Sequence, residues 1–162
     1  MKQNWCNIRA SAGLLLVRGD DRPEFLLAHP GGPYWASRDA GAWSLIKGEY
    51  DPREEQPAAA ARREFVEETG ITPPALDAWF DLGTVTQKGG KVVHGFMARG
   101  DFDPENLDPN TFEMEWPPRS GKHQRFPEID RVAWLESGDA KRAINPAQRA
   151  FIDRSLDCLE KG

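Results

Sequence analysis

Basic residues are the minority charge in this chain, 21 against 26 acidic, and the net charge of −5 argues against general affinity for duplex nucleic acid or an anionic membrane surface. Cysteine is scarcer still. Only Cys6 and Cys158 carry thiols among 162 residues, which predicts two unrelated thiols in a reducing compartment rather than a disulfide framework. The three histidines, His29, His94 and His123, are too scattered in sequence to suggest a histidine metal site. No stretch approaches the roughly 18 apolar residues of a membrane helix, and Met1-Lys2-Gln3-Asn4-Trp5 does not open a secretory signal. Repeats, low-complexity tracts and interdomain linkers are also missing. A single cytoplasmic domain over residues 1–162, long enough for a real core, is the expectation.

What the chain has in abundance is acid, and its placement is specific. Glu64, Glu67 and Glu68 fall in the run Arg63-Glu64-Phe65-Val66-Glu67-Glu68-Thr69-Gly70-Ile71. A helix at about 100° per residue gathers all three carboxylates on one face, where like charges repel and ask for a partner of opposite sign. Hard oxygen donors without nearby His or Cys suit Mg²⁺, with Mn²⁺ as a substitute. Pro57 fits the first turn of such a helix, the stripe Ala58, Ala61 and Phe65 its inward face, and Gly70 its C-terminal end.

Upstream, Lys47-Gly48-Glu49 begins a turn and Glu55 stands eight residues before Arg63. With Gly48, Glu55, Arg63, Glu64, Phe65, Glu67, Glu68, Gly70 and Ile71 in this order, the chain resembles the Nudix hydrolase family, whose signature runs G-x5-E-x7-R-E-U-x-E-E-x-G-U. One residue more than the signature separates Gly48 from Glu55, so either Glu54 or Glu55 fills the first acidic position. The resemblance implies an α/β fold, an α/β/α sandwich with a mixed sheet, and a metal-dependent pyrophosphohydrolase. It implies Glu64 and Glu68 as principal metal ligands, Glu67 and Glu55 as further ones, the Gly48 carbonyl completing the shell, and Arg63 bracing a carboxylate. Glu64 or a glutamate from a later loop takes the proton. The implied substrate is a small nucleoside diphosphate derivative, foremost a nucleoside triphosphate or dinucleoside polyphosphate; neither an ADP-ribose proline nor a dinucleotide tyrosine stands clearly at the family's distance beyond Gly70. A non-catalytic nucleotide-binding module is the alternative. An isoprenoid-diphosphate isomerase would need a thiol near the signature, where neither cysteine lies.

Elsewhere, alternating and continuous apolar runs predict strands at 10–17, 24–28, 43–46, 79–85, 91–98 and 131–135, and a terminal helix from Pro146 to Leu159. If 112–116 is extended, Glu113 and Glu115 share a face opposite Phe112, Met114 and Trp116. They suit an extra ligand or base, and equally the solvated side of an edge strand; Glu128 is a third candidate. Arg119, Lys122, His123 and Arg125 crowd positive charge into seven residues of an acidic chain, suited to phosphate or simply to solvent. Lys47 and Arg53 are further candidates for phosphate contacts, and Tyr34, Trp35 and Trp116 for stacking on a base.

Overall fold

A computed structural model describes residues 9–161; Cys6 and the opening stretch Met1–Trp5 lie outside the described residues. Strand β1 (Ala10–Arg18) is the axis of the fold. Its run Ala-Ser-Ala-Gly-Leu-Leu-Leu-Val is buried on both sides, as expected of a central strand covered on both faces. Along one edge it pairs in parallel with β5 (Val92–Arg99), which pairs antiparallel with β4 (Phe80–Thr86). Along the other it meets β3 (Ile46–Glu49) at Ser11–Leu14 and β2 (Glu24–Pro30) at Val17–Arg18, and β2 in turn pairs with β8 (Ile129–Glu136). The result is a mixed six-stranded sheet.

Alternation along β1 divides the core in two. Ala12, Leu14 and Leu16 pack with Ala60, Ala61 and Phe65 of helix α1 (Pro57–Thr69). Leu15 and Val17 face the opposite way, onto Phe151 and Ile152 of helix α3 (Arg149–Lys161) and Ala140 of helix α2 (Ser137–Ala143). This is the expected α/β/α sandwich. Helix α1 starts at Pro57 and stops at Gly70, whose φ of 75° lets its N–H return to the Val66 carbonyl at 2.8 Å. Among the described residues no helix is long and apolar enough to cross a membrane.

Three local expectations are corrected. Lys47-Gly48-Glu49 is strand rather than turn, because Ser11–Leu14 of β1 supplies a partner edge. Trp43 and Ser44 make only isolated bridges, to Ile144 and Ala28. The basic stretch is not one loop: β6 (Thr111–Glu115) pairs with β7 (His123–Pro127) in a separate hairpin, which puts Arg125 within a strand opposite Glu113.

Candidate active site

Strand β3 and helix α1 meet at Gly48 and Glu64. A side chain of any size at position 48 would overlap the Glu64 carboxylate, so the missing Cβ is what lets that carboxylate lie against the strand. Beside this contact opens a cavity of about 390 Å³, lined by Lys47, Gly48 and Glu49 from β3 and by Glu64 and Glu67 from α1. Lys91, just before β5, and Asn110 and Glu128 complete its wall. Asn110 and Glu128 stand at the two feet of the β6–β7 hairpin, tied by the Glu128 N–H donating to the Asn110 carbonyl at 2.8 Å.

Arg63 organises the acidic side. Its Nε and Nη2 fork onto Glu55 at 3.0 and 2.9 Å, while Nη1 donates to Glu64 at 2.8 Å and to Glu67 at 3.4 Å. Hydrogen bonding to Arg63 holds the Glu55 carboxyl below its usual range, and the same bond raises the arginine further. Glu54 is exposed, so Glu55 is the acid that meets the arginine. Burial pushes Glu64 upward against the pull of Arg63.

Glu68 stands apart. The residue is 1% exposed, and among the described residues neither carboxylate oxygen has a hydrogen-bond partner. Burial, and then the adjacent Glu128 carboxylate with Glu64 and Glu67, raise it to about 8. An orphaned buried carboxylate among three others must take up a proton or meet a cation. The donors are all oxygen, which fits Mg²⁺ or Mn²⁺ and does not fit zinc. No three side chains among the described residues are yet drawn into a ligand cage, since Arg63 holds Glu55 and Glu64 to itself. Glu64, Glu67, Glu68 and Glu128 are the groups that could turn toward a cation; Glu55 could do so only by leaving its fork.

Opposite the carboxylates stand two lysines. Lys47 is lowered to about 8, by burial first and then by the neighbouring Lys91 ammonium. Lys91 and Asn110 carry no local signal in the sequence; they arrive through the strand order. The other basic candidates lie elsewhere. Arg119, at a φ of 63°, and Lys122 are exposed in the connection between β6 and β7, Arg125 reaches Thr111, and none of the three lines the cavity. Arg53 forks back onto Asp51 at 3.1 and 2.9 Å. Glu113 and Glu115 occupy the exposed face of the hairpin, with Glu113 3.7 Å from His123, whereas Glu128 joins the cavity. Tyr34 and Trp116 meet edge to face at 5.3 Å, and Arg38 sits over Trp35 at 5.7 Å. His29 is buried between Asp130 and the Arg38 carbonyl, a structural role.

A family model described as the NUDIX domain matches residues 7–155. Among solved structures, the chain is similar to the NUDIX domain of Shewanella oneidensis NrtR complexed with ADP ribose, at 16% identity and a TM-score of 0.61, over 98% of this chain and 90% of that one. It is similar to a C. elegans Ap4A hydrolase at 23% identity and a TM-score of 0.57, over 94% and 98%. A MutT protein from Methanosarcina mazei Go1 follows at 22% identity and a TM-score of 0.58, over 96% of each chain. At these identities the likeness is one of fold. No curated protein matches the sequence.

Proposed function

This chain belongs to the Nudix family, and from that premise we propose that it is a divalent-cation-dependent pyrophosphohydrolase. The proposed reaction opens the diphosphate linkage of a nucleoside triphosphate or dinucleoside polyphosphate. The observation that carries the reading is Glu68, buried without a donor among Glu64, Glu67 and Glu128. A binding module has no need of that electrostatic cost, whereas hydrolysis of a phosphoanhydride does.

A phosphoanhydride resists water because its anionic oxygens repel a nucleophile. Bound Mg²⁺ supplies neutralisation of those oxygens and acidification of the attacking water. Glu64, Glu67 and Glu68 would hold the cation, with the Gly48 carbonyl beside them, and Glu55 would join only if it left Arg63. Arg63 is a positioning residue: its Nη1 fixes Glu64 while its fork occupies Glu55. Glu128, on the hairpin foot, and Glu64 are the two carboxylates placed to accept the proton. Lys47 holds phosphate from the opposite wall. Arg119, Lys122 and Arg125 meet only a substrate long enough to leave the cavity and run along the hairpin.

Turnover across a panel of nucleoside triphosphates, dinucleoside polyphosphates and nucleoside diphosphate sugars, with Mg²⁺ and with chelator, tests the reading. Chelator-sensitive release of a nucleoside monophosphate or diphosphate is expected. Binding without turnover across the panel would leave the regulatory module instead.

A further inference from the structure

We propose that Lys91 is a phosphate-binding residue that, paired with Lys47, selects substrates carrying three or more phosphates. Lys91 belongs to no motif; it lies at the start of β5, next to the parallel pairing with β1, and lines the cavity opposite Glu64 and Glu67. Its side chain is only 18% exposed, unusual for lysine. Among the described residues the one carboxylate it meets, Glu49 at 3.3 Å, is 61% exposed and shared with Arg9 at 3.4 Å. Lys47, on β3, lines the same cavity. The two ammonium groups form a basic wall beside the glutamates, and the carboxylate that meets Lys91 is largely solvated.

The chemistry of the missing partner follows from what the rest of the cavity already provides. The glutamates would hold a cation that neutralises one diphosphate bridge. A substrate with only that bridge leaves the lysine wall unmatched. A third phosphate, terminal and doubly charged or itself esterified, brings anionic oxygens to that wall, and lysine binds such a group as a compact point charge. The site therefore favours a nucleoside triphosphate or dinucleoside polyphosphate over a nucleoside diphosphate sugar, a preference that rests, for its kinetic part, on the pyrophosphohydrolase reading.

Two measurements separate this inference from that reading. In metal-free buffer, calorimetry with inorganic tripolyphosphate is expected to show binding that Lys91→Met weakens by about tenfold or more, that Lys91→Arg preserves within about threefold, and that exceeds the binding of pyrophosphate. In turnover, Lys91→Met is expected to raise KM for a nucleoside triphosphate about tenfold, with kcat within about threefold and KM for a nucleoside diphosphate sugar nearly unmoved. Thermal melting of each variant confirms the fold. Tripolyphosphate binding that is absent in the wild type or indifferent to Lys91→Met overturns the inference, as does an equal KM change on both substrate classes. If no substrate turns over, the hydrolase reading fails while calorimetry still decides the role of Lys91.

Discussion

The Glu64 carboxylate lies against the backbone of Gly48, in space that the Cβ of any other residue would claim. Gly48→Ala must therefore move the Glu64 carboxylate from its place against the strand. We expect the variant to lose about tenfold or more in activity and in Mg²⁺ affinity, by the measure typical of disturbed ligand support. Gly70→Ala is the contrast. Its φ of 75° makes alanine strained, at about 1–2 kcal/mol of stability, but nothing lies within 4 Å of the added Cβ, so activity at low temperature should hold. Equal activity of Gly48→Ala and wild type would mean that Glu64 does not need its place against β3.

Glu68 should reveal itself in stability before any substrate is added. A carboxyl held near 8 in the folded, metal-free protein against 4.5 ordinarily binds its proton preferentially in the folded state between those values. Stability from this group is thus fully present below about pH 4.5 and lost as pH rises toward 8. Melting temperature in chelator is expected to fall from pH 5 to pH 8, and Mg²⁺ should restore it, since a ligand that binds only the folded state stabilises it. Glu68→Gln should flatten the slope. Lys47, lowered to about 8, gives the opposite slope above that pH, which is why the scan stops there. A melting temperature that climbs from pH 5 to pH 8 in chelator, with no response to Glu68→Gln, would remove the basis for the cation site.

Arg63→Lys keeps a charge and loses the geometry. A single ammonium cannot hold both oxygens of Glu55 and also reach Glu64, as the guanidinium does at 3.0, 2.9 and 2.8 Å. We expect kcat to drop about 10- to 100-fold with KM little changed, because the lost function is support of a ligand rather than contact with substrate. A variant that changes KM alone would move Arg63 into the substrate pocket.

The hairpin cations test substrate length. Neutralising Arg119, Lys122 and Arg125 together should leave KM for a nucleoside triphosphate within about threefold, because none of them lines the cavity. For a dinucleoside polyphosphate, whose far end passes the hairpin, KM should rise about tenfold or more if charge-assisted contacts form. Unchanged KM for both classes assigns the three residues to solvent.

Helix α1 was legible because its evidence is local: Pro57, the stripe of Ala61 and Phe65, the acids on one face and Gly70 all lie within one span of chain. The β1–β2 and β4–β5 pairs were legible for the same reason, as apolar runs joined by turn residues. Strand β7 was not. Its residues His123, Gln124 and Arg125 are polar and exposed, so its extended form comes from pairing with β6 rather than from any burial pattern. The cation candidates divided along the same line. The basic cluster at 119–125 is dense in sequence, yet the cations that line the cavity are Lys47, beside the signature glycine, and Lys91, isolated in sequence and delivered by the parallel β1–β5 pairing. Glu128 separates from Glu113 and Glu115 for a comparable reason: it stands at the foot of the hairpin, next to α1, while the other two point to solvent.

If the carboxylates of α1 hold a cation that makes a phosphoanhydride hydrolysable, turnover depends on both that cation and Glu68. Turnover of nucleoside triphosphates and dinucleoside polyphosphates is measured for wild type and Glu68→Gln, in Mg²⁺ and in excess chelator, with melting recorded alongside. Wild type is expected to turn over in Mg²⁺ alone, and Glu68→Gln to lose about a hundredfold or more while melting no lower than wild type. Turnover that survives chelator, or that Glu68→Gln retains at the wild-type rate, would contradict it.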